Sequence, residues 1–203
     1  MRKNTKLLLL KKAAPVFIFL YLSAGAIIEA GEVRVLVSSG FFNFRQAEFR
    51  EIYGGLQFFG FGAELYTGNH FGLAAGISLV KGRGEALTIE GDPVLFPVKF
   101  SRWSFPLLLK YREIIGPLQL AIGAGLAYSV YKESWVEVDL SSSGKRLHLR
   151  GELNLDFRLT GRLFLRAGAN WESIPTGVSS LLSDGEKVSL AGFSLLAGLG
   201  FKF

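Results

Sequence analysis

Apolar and polar residues alternate along most of this chain with a period of two. The clearest stretch runs from Leu147 to Thr160, where the odd positions except Gly151 are Leu or Phe and the even positions are polar or charged. Successive side chains of a β-strand point to opposite faces, so this period predicts a strand with one apolar and one ionic face. A soluble sandwich could also contain one such strand, so the other strands and the two chain ends decide the fold class.

The same alternation predicts about eight antiparallel strands in the 203-residue chain. They cover about residues 33–42, 56–66, 71–80, 98–111, 118–130, 147–160, 163–172 and 191–203. No segment shows helical periodicity with capping residues, so an all-β fold is expected. The connections alternate between short (67–70, 112–116, 160–162) and long (43–55, 81–97, 132–146, 173–188). This asymmetry is typical of a transmembrane up-and-down barrel with tight periplasmic turns and longer outer loops.

Glycines on most strands share the face opposite the large apolar residues, as expected for the crowded interior of a small closed barrel. The same face carries charged residues of both signs, namely Glu64, Lys110, Arg150, Glu152, Asp156, Arg158, Arg166 and Glu172. Buried charges need partners, so we predict that these eight residues form an interior charge network. Side chains fill the interior of a barrel of this size, so a wide pore is not expected.

Tryptophan and tyrosine residues recur on the predicted outer face at a spacing that suits a membrane. Trp103 and Tyr111 are eight residues apart, Tyr128 lies ten beyond Leu118, and Trp171 lies eight beyond Leu163. Eight to ten residues of a tilted strand cover the apolar band of such barrels, which is about 25 Å tall. We therefore predict that Trp103, Tyr111, Tyr128 and Trp171 belong to aromatic girdles at the two membrane interfaces.

The last strand alternates apolar residues up to a final aromatic one, with Phe193, Leu195, Leu199, Phe201 and Phe203 on one face. Together with the glycine-rich strand 120–128, this pattern resembles the small outer-membrane β-barrel proteins of bacteria with two membranes. The resemblance covers nearly all of residues 31–203. It implies a barrel of about eight strands in the cell outer membrane. It also implies that the alternating residues ending at Phe203 are the signal read by the barrel-assembly machinery.

Residues 1–30 are predicted to be a signal peptide for the general secretory pathway. Five basic residues precede a short apolar stretch and then small residues, and cleavage is expected after Ala26 or Ala30. The alternative is an uncleaved membrane anchor, but the apolar stretch is short for a span. The same five basic residues account for five of the six net positive charges, so the remaining chain has no basic character that would indicate nucleic-acid binding.

Residues that could support catalysis or metal binding are sparse in this chain. There is no cysteine, and the two histidines, His70 and His148, have no second histidine at ligand spacing. We therefore expect no cofactor, no metal and no enzymatic activity. Three alternatives stay open: a lipid A-modifying outer-membrane enzyme, a narrow channel or lateral-diffusion transporter for small apolar molecules, and a soluble lipocalin-like barrel that binds lipid.

The alternation continues beyond the predicted fifth strand, through a segment that we call the outer ribbon. Its apolar line consists of Trp135, Val136, Val138 and Leu140. Folding about Ser142 and Ser143 would pair Tyr128 with Phe157 and carry this line clear of the lipid. Exposed apolar surface of this kind marks interaction sites, so we predict a monomeric barrel with a structural or surface-interaction role. The expected partners are outer-membrane lipid and lipopolysaccharide, and no nucleic acid.

Overall fold

The computed structural model describes residues 31–87, 95–137, 139–174 and 189–203. In these residues eight antiparallel strands form a closed barrel in chain order. The strands are β1 (Glu32–Phe44), β2 (Leu56–Thr67), β3 (Phe71–Leu87), β4 (Leu95–Ile115), β5 (Leu118–Trp135), β6 (Leu140–Arg158), β7 (Leu163–Ser173) and β8 (Gly192–Lys202). The predicted all-β, up-and-down barrel is confirmed. The predicted signal peptide, residues 1–30, lies outside the described residues.

Large apolar side chains cover the outside of the barrel. Leu109 is 70% exposed, Leu149 is 57% exposed and Leu195 is 58% exposed, and each occupies a position that alternates with a buried or half-buried one. Soluble proteins rarely expose a continuous apolar surface of this extent, whereas lipid tails are its natural surroundings. The apolar outside and charged inside are the reverse of a lipocalin, so that alternative was wrong. Among the described residues, no helix is long and apolar enough to cross a membrane.

The seam between β1 and β8 closes the barrel. Register runs unbroken from the pair Arg34–Lys202 to the pair Phe44–Gly192. Gly40 is required at this seam, because a Cβ atom there would lie 1.9 Å from the carbonyl oxygen of Leu195. The sequence left the faces of the first strand poorly defined, since glycine and serine occupy its centre. Its register to both neighbours now places Arg34 inside the barrel.

Strands β3 to β6 continue beyond their neighbours and form a tall wall on one side of the outer rim. Residues 81–87 and 95–97, predicted as loop, are strand residues, and 81–87 pair with 95–101. The predicted turn at 112–116 is shorter, because β4 continues to Ile115 and the chain reverses at Gly116, which has a φ of 61°. The charged and glycine-containing segment after Val80 resembles a loop in sequence because it lies above the lipid, where alternating apolar residues are no longer needed.

A short helix, α1 (Ala47–Tyr53), lies in the connection between β1 and β2, where the sequence pattern predicted no helix. That prediction was wrong. Phe49 and Tyr53 lie four residues apart on one face of α1, and both are buried. A helix of seven residues is marginal alone, so packing of this face into the barrel mouth stabilises it.

The register of the β5–β6 hairpin also differs from the prediction. Tyr128 pairs with Leu147 and Trp135 pairs with Leu140, whereas Phe157 pairs with Leu118 at the opposite end of the barrel. The chain reverses after Trp135, and Asp139 adopts a φ of 50°. Asp tolerates this left-handed conformation better than most residues, which favours a turn here over one at Ser142 and Ser143.

Candidate functional site

The lower half of the barrel interior is filled by a network of ion pairs centred on Glu64 and Arg166. The Nη1 and Nη2 atoms of Arg166 lie 2.6 and 3.0 Å from the two carboxylate oxygens of Glu64, and its Nε lies 2.6 Å from Oδ1 of Asp156. Lys110 also contacts Glu64, and its Nζ lies 2.6 Å from Oε1 of Glu152. These residues come from β2, β4, β6 and β7. Each charge therefore faces an opposite charge, as burial requires.

A second layer of ion pairs closes the end of the barrel that carries the short turns, and its main members were not predicted from the sequence. Nη1 of Arg34 lies 3.0 Å from Oδ2 of Asp156, and Nη1 of Arg112 lies 2.5 Å from Oε1 of Glu32. Nζ of Lys202 lies 2.7 Å from Oε2 of Glu32. The sequence pattern could have predicted Arg112 as an inward-facing residue, because it follows Lys110 by two positions on the same strand. Arg34 could not be assigned to the inward face, because the alternation of apolar and polar residues is weak in the first strand.

A third charged cluster lies nearer the outer end, around Glu172. Nη1 of Arg150 is 3.0 Å from Oε1 of Glu172, and Nη2 of Arg102 is 2.5 Å from Oε2. Nε2 of His148 is 3.8 Å from the same oxygen. Glu172 is therefore the acidic neighbour of His148. The His148 side chain is fully buried, so it has no access to lipid outside the barrel.

Arg158, which we predicted inside, is exposed at the end of β6. Its Nη2 donates to the carbonyl oxygen of Gly116, 3.2 Å away, at the turn between β4 and β5. The prediction for Arg158 was wrong because β6 ends at this residue. A side chain at the end of a strand can be exposed even where the alternation assigns it to the inward face. The structure brings the other seven predicted residues into the interior.

An aromatic plug closes the outer mouth of the barrel. The ring of Phe44 lies 5.0 Å from that of Phe49 and 5.2 Å from that of Phe100, centroid to centroid. Tyr53 lies 5.6 Å from Phe100 and completes the cluster. The Tyr53 hydroxyl has no hydrogen-bond partner among the described residues. Burial, together with the nearby negative charge of Glu133, raises the pKa of Tyr53 well above its usual value.

A small cavity lies in the barrel interior between the plug and the lower network. Its volume is about 80 Å³, and Glu64, Ser78 and Arg150 are among the residues that line it. This volume holds a few water molecules at most. The described side chains therefore leave no wide passage through the barrel. In the described part of the chain, no group of three or more metal-ligating side chains is arranged to hold a metal ion.

The four predicted girdle residues all face outward and lie at two levels. Tyr111 stacks near His70 and Phe71, next to the short turns, with ring centroids 5.7 and 5.4 Å away. Trp103, Tyr128 and Trp171 are between 42% and 47% exposed and lie toward the outer end of their strands. Their placement suits two interfacial levels, and the girdle role stays a prediction.

The predicted assembly residues line the outer face of β8. Phe193, Leu195, Leu199, Phe201 and Phe203 are all exposed. The backbone N–H of Phe203 donates to the carbonyl oxygen of Val33, 2.9 Å away, and its ring lies 4.9 Å from that of Phe201. The last residues of the seam are therefore ordered against β1. Recognition by an assembly machinery stays a prediction.

The outer ribbon is divided between two environments. The indole of Trp135 lies 5.7 Å from the ring of Phe96, and its N–H donates to Oε1 of Glu133 at 3.3 Å. Val136 is 48% exposed and Leu140 is 52% exposed at the top of the hairpin. Val138 lies outside the described residues. Trp135 thus supports the wall, whereas Val136 and Leu140 form its free apolar edge.

Known structures share this architecture at low sequence identity. Outer membrane protein OprG from Pseudomonas aeruginosa aligns at 15% identity over 86% of this chain and 97% of its own, with a TM-score of 0.58. Neisserial surface protein A aligns at 14% identity over 85% and 96%, with a TM-score of 0.56. Ail, the attachment invasion locus protein of Yersinia pestis, aligns at 17% identity over 86% and 99%, with a TM-score of 0.51. These similarities show that the fold is the eight-stranded outer-membrane β-barrel.

No protein-family model matches the chain, and no curated protein matches it.

Proposed function

We propose that this protein resides in a bacterial outer membrane as a closed barrel and presents the outer ribbon to the cell surroundings. The observation that carries the proposal is the contrast between a filled interior and a wall that continues above the membrane. Ion-pair layers and an aromatic plug fill the inside, whereas Val136 and Leu140 stay exposed at the top. A protein built for conduction would leave its interior open, whereas one built for surface contact needs only a rigid base.

Residence in the outer membrane follows from the apolar belt, the aromatic residues at two levels and the asymmetry between short and long connections. Residues 1–30 supply the export signal in this proposal, and the seam at Phe203 supplies the assembly signal. Neisserial surface protein A and Ail carry names that refer to the cell surface and to attachment. Those names concern those proteins, and they agree with the surface role proposed for this chain.

The experiment replaces the top of the hairpin. Glu133 and Ser142 are directly paired, so residues 134–141 can be exchanged for a two-residue Asn-Gly turn without changing the register below. The variant should still fractionate with the outer membrane and show heat-modifiable gel mobility. It should lose binding to the immobilised polysaccharide part of lipopolysaccharide, prepared without lipid A. Unchanged binding by the folded variant would contradict the ribbon as the surface-interaction element.

Conduction provides a second test of the proposal. Purified protein in a planar bilayer should show no stable ion current, since the charge layers cross the whole section of the barrel. A narrow channel for small apolar molecules is the competing function, and a steady current that persists across preparations would favour it. A catalytic role is not part of the proposal, because the side chains of His148 and Glu172 are buried inside the described part of the barrel, away from the lipid.

A further inference from the structure

The outward face of the tall wall changes from apolar to cationic within two residue steps. One row across the strands contains Leu79, Trp103, Val130 and Lys145, which pair in that order. The next row toward the outside, which we call the lower basic row, contains Gln57, Lys81, Ser101, Lys132 and Ser143. Above it, the upper basic row contains Arg83, Lys99, Ser134 and Ser141. Both basic rows combine cations with hydroxyl groups and contain no acid.

The pairing of Arg83 with Lys99 is unusual, because two like charges stand directly opposite each other on neighbouring strands. Such pairs have Cβ atoms about 5 Å apart and destabilise a sheet. Both side chains are exposed, and neither has an ion-pair partner among the described residues. Glu85, one row higher, is the nearest acid along β3, and it pairs with Pro97. A wall with this arrangement gains stability when an anion binds between the cations.

The shape and the height of this face indicate which anion fits. A shallow depression of about 650 Å³ lies over both rows, and Lys81, Arg83, Lys99 and Lys132 contribute to its lining. The lower basic row lies one two-residue step, about 7 Å, above Trp103. Trp103 belongs to the level predicted to mark the outer membrane interface. The ammonium and guanidinium groups are therefore at the depth of lipid headgroups rather than far out in solution.

We infer that the two basic rows form a binding site for the phosphate groups of a phosphorylated glycolipid in the outer leaflet. Arg83 and Lys99 hold one phosphate between them, which removes their mutual repulsion. Lys81 and Lys132, separated by Ser101, hold the next phosphate below. The serine hydroxyl groups of both rows donate hydrogen bonds to phosphate or sugar oxygens. This inference rests on the proposed residence in the outer membrane. The four cations of the site lie outside the outer ribbon, whereas Ser134 and Ser141 of the upper basic row border it.

Lipid A is the probe, because it can be prepared with both phosphates, with one, or with none. Purified barrel in zwitterionic detergent is mixed with each form, and the bound lipid is counted by native mass spectrometry. Wild-type protein should retain the doubly phosphorylated form best and the dephosphorylated form least. The double variant Arg83→Gln/Lys99→Gln should bind the phosphorylated form roughly thirtyfold more weakly, since each of the two cations near a charged headgroup contributes about 1 kcal/mol. Excess inorganic phosphate should not compete effectively if the lipid is the true ligand.

The matched control is Arg158→Gln/Arg162→Gln, which removes the same charge from exposed positions at the opposite end of the barrel. It should bind lipid A like the wild type. If the first double variant does not fold, Lys81→Gln/Lys132→Gln tests the same site from the lower row. Equal retention by either folded double variant and the control would overturn the inference, as would equal binding of phosphorylated and dephosphorylated lipid. Heat-modifiable mobility and ribbon-dependent binding would still stand in that case, so the two proposals fail separately.

Discussion

Arg166 and Glu64 contact each other across the barrel through two parallel hydrogen bonds of 2.6 and 3.0 Å, although they lie 102 positions apart in the chain. Both are buried, and the same guanidinium also binds Asp156. Bidentate pairs of this kind fix geometry as well as charge. The pair therefore fixes the positions of β2 and β7 relative to each other along the barrel axis. Loss of either partner leaves a buried charge uncompensated.

Glu64→Gln should be among the most destabilising single changes in the barrel. It leaves Arg166 and Lys110 facing a neutral amide, and breaking a buried pair in this way costs roughly 3–5 kcal/mol. Urea unfolding in lipid vesicles, followed by gel mobility, measures the change. Glu137→Gln removes the same charge from an exposed position and should have almost no effect. Equal midpoints for the two variants would mean that the interior is wet enough to screen the pair.

Gly40→Ala should weaken the β1–β8 seam. Its new Cβ would meet the backbone carbonyl of Leu195, which cannot move without disturbing β8. Overpacking of this kind costs about 1–3 kcal/mol. Gly161→Ala is the control, because a Cβ at Gly161 has no atom within 4 Å. If both alanine variants unfold at the same urea concentration, the seam is more adaptable than its geometry indicates.

Tyr53→Phe should change how stability depends on alkaline pH. The buried phenol has a raised pKa in the folded protein, so the unfolded chain loses this proton first as pH rises above about 10. The free energy of unfolding therefore decreases above that pH, with a contribution from Tyr53 of up to about 1.4 kcal/mol per pH unit. Tyr53→Phe removes this contribution, so its stability should fall less steeply than that of the wild type. Parallel profiles would show that Tyr53 ionises in the folded state.

Phe203→Ala should lower the amount of folded barrel in the outer membrane during expression at native level. The reason is the predicted role of the alternating residues of β8 in assembly, together with the contact between Phe203 and β1. Phe71→Ala is matched in side chain and exposure, since Phe71 is 66% exposed and Phe203 is 71% exposed. Quantification of the heat-modifiable band separates the two. A similar loss in Phe71→Ala would point to general lipid contact instead of an assembly signal.

Trp135→Ser and Leu140→Ser should separate support of the wall from surface contact. Trp135 packs on Phe96, so its loss should lower the stability of the outer end of the barrel, as judged by protease resistance of the folded protein. Leu140 is exposed, and surface changes of this kind stay within about 0.5 kcal/mol. Leu140→Ser should nevertheless weaken binding to the polysaccharide part of lipopolysaccharide, prepared without lipid A. An unaltered affinity would remove Leu140 from the proposed contact.

The alternation of side chains was sufficient to predict the eight strands and the inward faces of all but the first, because the lipid imposes one strict rule on every membrane-embedded position. It could not predict the register of the β5–β6 hairpin. Sliding Tyr128 from Phe157 to Leu147 preserves which side chains face outward, so both pairings satisfy the pattern. The observed turn requires the left-handed backbone conformation of Asp139, and the alternation of apolar and polar residues gives no information about backbone conformation.

Two parts of the candidate site depended on tertiary contacts that the sequence does not encode locally. Helix α1 is too short for a periodic signal, and only its packing on Phe44 and Phe100 reveals Phe49 and Tyr53 as a plug. The individual ion pairs also required the structure. The alternation of side chains predicted that Asp156 points inward. Its ion pair with Arg34 of β1 could not be predicted, because it depends on how the barrel closes.

The interior ion pairs also have a consequence for how the barrel comes apart. Arg34, Glu64, Lys110, Asp156 and Arg166 belong to five different strands, and each is paired with a residue of another strand. Opening any one seam admits water to all of these charges together, because no strand carries a self-contained part of the network. Unfolding should therefore be a single cooperative event with a high kinetic barrier, and partly opened barrels should be too rare for a protease to capture.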